Sequence, residues 1–151
     1  MDDDPLDILR DMLLRISRPR MHLLVMKHAD VRLDRALFPL TMRLGREGAK
    51  SVAELADAFG LDQSTVSRQL TQLESLKLVV RRARDSDRRV REAKLTARGQ
   101  HVYQQLEAAR LRLKDEVLAN WSDADKKRLA RMLRKLSQAV DTFHAKYRDS
   151  E

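Results

Sequence analysis

"SVAELADAFGLDQSTVSRQLTQLESL", residues 51–76, is the stretch whose reading decides the fold. Ser51 and Glu54 stand at the capping-box spacing, in which a hydroxyl and a carboxylate satisfy each other's free backbone N–H groups. Val52, Leu55, Ala56 and Phe59 follow as one apolar stripe at helical spacing, and Gly60 supplies the stop. Only Leu61 intervenes before Asp62, a capping residue that opens another helix. Helices joined this tightly cannot run parallel, so the pattern predicts a helix-turn-helix.

Around the later helix, residues 62–76, Val66, Leu70 and Leu73 fall on one side. The opposite side carries Ser64, Arg68, Thr71 and Ser75, flanked by Thr65, Ser67 and Gln72. That face is small, neutral and rich in hydrogen-bonding groups, whereas a merely solvated face would be laced with Glu and Lys. Such side chains suit close approach to phosphates and to base edges in a major groove. Arg68, the single cation on the outer face, is the candidate reader of a base.

Past Leu76 the periodicity changes. Leu78–Val80 and Val90–Leu95 read as short strands, which makes the run "RRARDSDRR", residues 81–89, the tip of a hairpin. A charge run alone is usually a solvated face. Placed directly after a helix-turn-helix, it reads instead as a wing that reaches the neighbouring backbone or minor groove, where arginine is favoured. Arg84, Arg88 and Arg89 are its candidate DNA contacts, and Asp87 is expected to orient Arg89 through a charge-assisted pair. Residues 64–98 hold ten Lys/Arg against four Asp/Glu, out of a net charge of +8 for the chain, which favours a polyanion as partner.

The flanks read as helices. Asp4-Pro5 with Asp7 marks a helix start, followed by Leu6, Leu9, Leu13 and Ile16 at helical spacing, and Arg18-Pro19 should break it. A helix is expected from about Leu33 to Leu44 with Gly45 as its stop. Thr96–Gly99 should open a long helix to about Trp121, itself read as a core anchor at a helix junction. Ser122 and Asp125 cap a last helix in which Leu133, Leu136, Val140, Phe143 and Tyr147 form a heptad seam suited to another helix. That seam and the Leu6–Ile16 stripe exceed what one small lobe can cover, so a homodimer is expected.

Composition bounds the rest. With 151 residues the chain is read as a single domain; charged residues make up 36%, and four Gly and three Pro leave little for loops. The absence of cysteine removes disulfides, thiolate metal sites and cysteine nucleophiles. The acidic opening "MDDDPLDILRDML" is unlike a secretory signal, and no apolar run approaches the roughly 18 residues of a membrane span, so a soluble, cytoplasmic protein is expected. His22, His28, His101 and His144 show no metal-ligand spacing, and there is no phosphate-binding loop or nucleophile elbow. Neither a metal, a cofactor nor an enzymatic activity is expected.

At "SVAELADAFGLDQSTVSRQLTQLESLKLVVRR", at "DRR" (87–89) and at "LTARG" (95–99), the sequence resembles the MarR (multiple antibiotic resistance regulator) family of winged helix-turn-helix transcription factors. The resemblance runs along the whole chain in helix order and is motif-specific from about Ser51 to Gly99. It implies a mainly α fold with a small β-hairpin wing, residues 31–99 forming the DNA-binding lobe and residues 1–30 and 100–151 a helical dimerisation region. It further implies a palindromic double-stranded DNA operator, with the family's Asp-x-Arg wing element falling on Asp87 and Arg89. It also implies a small anionic aromatic ligand near Arg18, His22, Met26 and His28. Lys77 departs from the pattern, standing where a glycine commonly ends the recognition helix; a left-handed backbone there would cost about 1 kcal/mol.

The expectation is thus a sequence-specific DNA-binding transcription regulator, a dimeric repressor. The competing reading is a helical protein-interaction module with a vestigial helix-turn-helix. It is disfavoured because a protein-binding helix would expose apolar anchors.

Overall fold

A computed structural model describes residues 4–16 and 19–148. In chain order the elements are α1 (Pro5–Ile16), α2 (Pro19–His28), α3 (Phe38–Glu47), β1 (Lys50–Ser51), α4 (Val52–Phe59), α5 (Gln63–Ser75), β2 (Val79–Ala83), β3 (Arg91–Leu95), α6 (Ala97–Val117) and α7 (Asp123–Arg148). The result is a mainly α protein with a small antiparallel sheet, the winged helix-turn-helix that residues 51–76 predict. Two compact units divide it, one up to Arg112 and one from Leu113 on.

All but one of the side-chain caps legible in the sequence are made. Asp4 Oδ1 accepts the Leu6 N–H at 2.8 Å at the head of α1. Ser51 Oγ accepts the Glu54 N–H at 3.2 Å while Glu54 Oε2 accepts the Ser51 N–H at 2.6 Å. Gly60 closes α4 in the left-handed region at φ 60°. Ser122 Oγ accepts the Asp125 N–H at 3.1 Å before α7. Asp62 precedes α5 in the extended conformation of an N-cap, but its side chain makes no capping bond.

In the first unit α3, α4, α5 and the sheet share one core. Leu40, Leu55, Val66, Leu70 and Leu73 are fully buried there, and Leu78, Val79, Ala93 and Leu95 close it from the sheet side. That burial sets the orientation of α5, because Val66, Leu70 and Leu73 can face the core only if Ser64, Arg68, Thr71 and Gln72 face out.

The sheet has the order β1–β3–β2, with Ser51 opposite Glu92 and Arg82 also opposite Glu92. The hairpin is where the sequence puts it, but β1 is an element the sequence does not announce. Its two residues show no alternation, and it exists only through its pairing with β3.

The helix expected over 33–44 begins instead at Phe38 and runs through Gly45 to Glu47, with Gly48 as its cap at φ 81°. Gly45 serves packing, since a Cβ there would overlap the ring of Tyr103 on α6. Gly99 is similar, because its Cβ would overlap the carbonyl oxygen of Leu78. Lys77 is left-handed, at φ 59°. Its carbonyl accepts a hydrogen bond from Thr96 Oγ1 at 2.7 Å, so the turn after α5 is tied to the head of α6.

In the second unit Leu133, Val140 and Phe143 of the heptad seam are exposed and Leu136 is half-buried. The side chain of Tyr147 lies outside the described residues. Trp121 is 43% exposed, not a core anchor, and lines an open cavity of about 520 Å³ with Leu129, Met132 and Arg128. No helix among the described residues is long and apolar enough to cross a membrane.

Candidate nucleic-acid interface

The outer face of α5 is accessible. Ser64, Arg68, Thr71 and Gln72 are exposed, and Thr65 and Ser67 are half-buried at its margins. The Arg68 guanidinium donates to Thr65 Oγ1 at 3.3 Å and has no carboxylate partner among the described residues. Thr71 Oγ1 donates to Ser67 O at 3.0 Å and accepts from Arg81 Nη2 at 3.0 Å. The one acid on this helix, Glu74, lies 3.2 Å from Arg81 Nε. That N–H is not aimed at the oxygen, so the contact is an ion pair without a hydrogen bond. The pair neutralises the only negative side chain on α5, leaving its outward potential positive.

The tip of the wing is closed by backbone bonds. Arg84 N–H donates to Val90 O at 2.8 Å and Val90 N–H to Asp87 O at 3.0 Å. Asp87 Oδ1 accepts from the backbone N–H of Arg89 at 3.0 Å. The aspartate therefore holds the main chain of the tip and not the Arg89 guanidinium, contrary to the expectation from sequence. A carboxylate two residues before an N–H makes an Asx-type turn, which directs the Asp87 carboxylate to the main chain. Arg88 and Arg89 project from the tip, exposed and without an ion pair among the described residues.

Arg84 differs from the other arginines of the hairpin. Its Nε donates to Glu92 Oε2 at 2.9 Å and its Nη2 to Glu54 Oε2 at 2.5 Å, so the guanidinium is held between two carboxylates from different elements. Glu54 is held well below the usual carboxylate range, to about 2, first by the backbone N–H of Ser51, then by its hydroxyl and by Arg84. Arg81, absent from the residues the sequence singles out, donates through Nη2 to Ser67 O at 2.7 Å. Nothing in the sequence marks it, because its partners sit on another element.

Three of the residues expected around a small ligand, His22, Met26 and His28, lie on α2. Arg18 lies outside the described residues. His22 stacks on Phe38 at 4.7 Å, and burial, aided by Arg35, lowers its pKa. Met26 is buried, while His28 is exposed with its Nδ1 2.9 Å from Leu24 O. Two described cavities are lined by residues of α7 and the turn before it, and a third by residues of α1. No group of His or acidic side chains among the described residues has the arrangement of a metal site.

Residues 36–90 match the MarR family model. The chain is 28% identical over 138 residues to an uncharacterized HTH-type transcriptional regulator, YxaD, of Bacillus subtilis (strain 168), covering 91% of this chain and 96% of that one. Its fold is similar to the crystal structure of MarR, at TM-score 0.73 and 24% identity over 97% of this chain and 98% of the other. It is also similar to a MarR family protein from Bacillus stearothermophilus, at TM-score 0.76 and 23% identity over 93% and 99%. A MarR transcriptional regulator from Methanosarcina mazei Go1 gives TM-score 0.77 at 18% identity over 91% and 99%.

Proposed function

The chain belongs to the MarR family by its residues 36–90, and from that premise we propose that it is a sequence-specific, double-stranded-DNA-binding transcription regulator acting as a homodimeric repressor. One observation carries the reading. An exposed helix face of hydroxyls, an amide and a single guanidinium stands on the same compact unit as a hairpin whose tip presents Arg88 and Arg89 to solvent. In this reading α5 enters the major groove, Ser64, Thr65, Ser67, Thr71 and Gln72 position it, and Arg68 reads a base. The tip reaches the adjacent groove or backbone.

Dimerisation follows from apolar surface. Leu6, Leu13 and Leu14 of α1 and Leu133, Val140 and Phe143 of α7 are exposed, more large apolar side chains than solvated helices carry. We assign residues 1–30 and 100–151 to the dimerisation region and residues 31–99 to the DNA-binding lobe. The symmetry of a dimer makes the operator palindromic. A small anionic aromatic ligand near Arg18, His22, Met26 and His28 is part of the proposal on the strength of the family resemblance alone. The reading is non-catalytic and places the protein in the cytoplasm.

Selection of bound duplexes from a random DNA pool tests it. The expected outcome is enrichment of an inverted repeat with half-sites about one helical turn apart. Failure to retain duplex above the level of an unrelated protein of equal charge would refute it.

A further inference from the structure

The six arginines of the hairpin, at positions 81, 82, 84, 88, 89 and 91, fall into two sets. Arg82, Arg88, Arg89 and Arg91 are exposed and have no ion pair among the described residues. Arg81 and Arg84 are half-buried and each is spent on another element. Arg81 reaches from β2 to the α5 backbone at Ser67 O (2.7 Å), to Thr71 Oγ1 (3.0 Å) and to Glu74 (3.2 Å). Arg84, one residue past β2, bridges Glu92 on β3 at 2.9 Å and Glu54 on α4 at 2.5 Å.

From this we infer that Arg81 and Arg84 are positioning residues that fix the wing to the helix-turn-helix, and that the wing's DNA contacts fall to Arg82, Arg88, Arg89 and Arg91. The inference rests on the DNA-reading function proposed above and reassigns Arg84, which its place in the arginine run had put against DNA.

The physical reason lies in the charge around the guanidinium, since Arg84 with Glu54 and Glu92 makes a group of net charge −1 that does not attract a phosphate. An arginine forked between two carboxylates offers little to a phosphate, and breaking that arrangement leaves Glu54 and Glu92 facing each other across the gap. Glu54 is also tied by the Ser51 N–H, and Ser51 is paired with Glu92 across β1 and β3. Arg84 therefore closes a ring that joins the start of α4 to the neck of the wing. Arg81 makes the corresponding link to α5, and its bond to the Thr71 hydroxyl sets the rotamer of a side chain on the reading face. With both links in place, α5 and the tip present a fixed spacing to adjacent grooves. Without them each element could still touch DNA, but not in one register.

The test measures affinity for two duplexes of equal length, one selected from the random pool and one of scrambled sequence, over a range of salt. Arg84→Ala is expected to keep the salt slope of the wild type while the preference for the selected duplex falls by at least about fivefold, the equivalent of one base contact. Arg82→Ala should do the reverse, making the slope shallower by about 0.9 for each phosphate it no longer neutralises and leaving the preference intact. Arg84→Lys keeps the charge but not the fork and should give an intermediate preference, which also covers the case of an Arg84→Ala protein that does not fold. Independently of DNA, Arg84→Ala and Glu92→Ala should be non-additive in urea unfolding, and either should speed amide exchange in β2 and β3. A shallower slope with unchanged preference in Arg84→Ala would make Arg84 a phosphate contact and overturn the inference alone. Wild-type protein that prefers neither duplex would overturn the DNA-reading function, and the positioning role with it.

Discussion

The ring of Tyr103 lies against Gly45 so closely that an added Cβ would overlap its Cγ. Contact between α3 and α6 is made through a glycine within α3, and overpacking is the consequence of filling it. Gly45→Ala should lose about 1–3 kcal/mol unless the ring moves away. Gly48→Ala meets open space, but its φ of 81° with ψ of −156° is a backbone region essentially reserved for glycine, and it should lose about 1–3 kcal/mol to strain alone. Urea unfolding of the Gly45→Ala protein checks the close approach; an unchanged midpoint would refute it.

Lys77 carries the opposite expectation. Its φ of 59° is one that a side chain resists, and its functional atom, the carbonyl held by Thr96, belongs to the backbone. Lys77→Gly should therefore stabilise the protein by about 0.5–1 kcal/mol, part of the strain relief being offset by the unfolded chain's extra freedom. A lower unfolding midpoint in the glycine variant would show that the lysine side chain compensates for its own strain.

Glu54 gives the stability an acid limb. Its carboxyl drops from an ordinary 4.5 to about 2 in the fold, with the Ser51 N–H as the largest cause. A depressed carboxylate contributes stability that is complete above the unfolded value and is lost as pH falls through the folded one. The expected loss thus runs from about pH 4.5 down to about pH 2. Glu54→Gln should flatten that part of the stability-versus-pH curve relative to wild type. An unchanged curve would mean that Glu54 is not a determinant of acid unfolding.

Arg68 and Arg89 should fail differently. Arg68→Ala should cost about 1–3 kcal/mol of discrimination between the selected duplex and a base-substituted one. Arg89→Ala should weaken binding to both and make the salt slope shallower. Asp87→Ala removes a negative charge, yet it should weaken binding, because the Arg89 N–H loses its acceptor and the tip its turn. Tighter binding by Asp87→Ala at fixed salt would show that the turn does not matter for grip.

Sedimentation at low micromolar concentration should give a mass near twice 17.5 kDa. Phe143→Glu, in the exposed seam of α7, should shift the protein toward monomer and lower DNA affinity together. A compact wild-type monomer would remove the dimer and the symmetric operator at once.

What the sequence made legible was local. The capping box at Ser51 and Glu54, the stop at Gly60 and the apolar stripe of α5 are each set by residues within a turn or two of one another, and each is found. What it hid depends on partners distant in the chain. β1 is a strand only because β3 pairs with it forty residues later. Gly45 looked like a helix stop because its real reason, Tyr103, is on another helix. Arg84 looked like a DNA contact because Glu54 is thirty residues upstream. A run of arginines does not itself say which of its members are already paired.

The neck that Arg84 ties down leaves residues 85–89 as the only part of the hairpin beyond the Arg84–Val90 closure. Out and back, five residues at about 3.3 Å each extend roughly 8 Å, about the depth of a minor groove and no more. So short and braced a projection has little freedom to lose on contact, which lowers the ordering cost of association. It also cannot follow the irregularities of a duplex. The duplex has to yield instead, narrowing or bending where the tip lands, and base steps that yield easily will be preferred at positions no side chain touches.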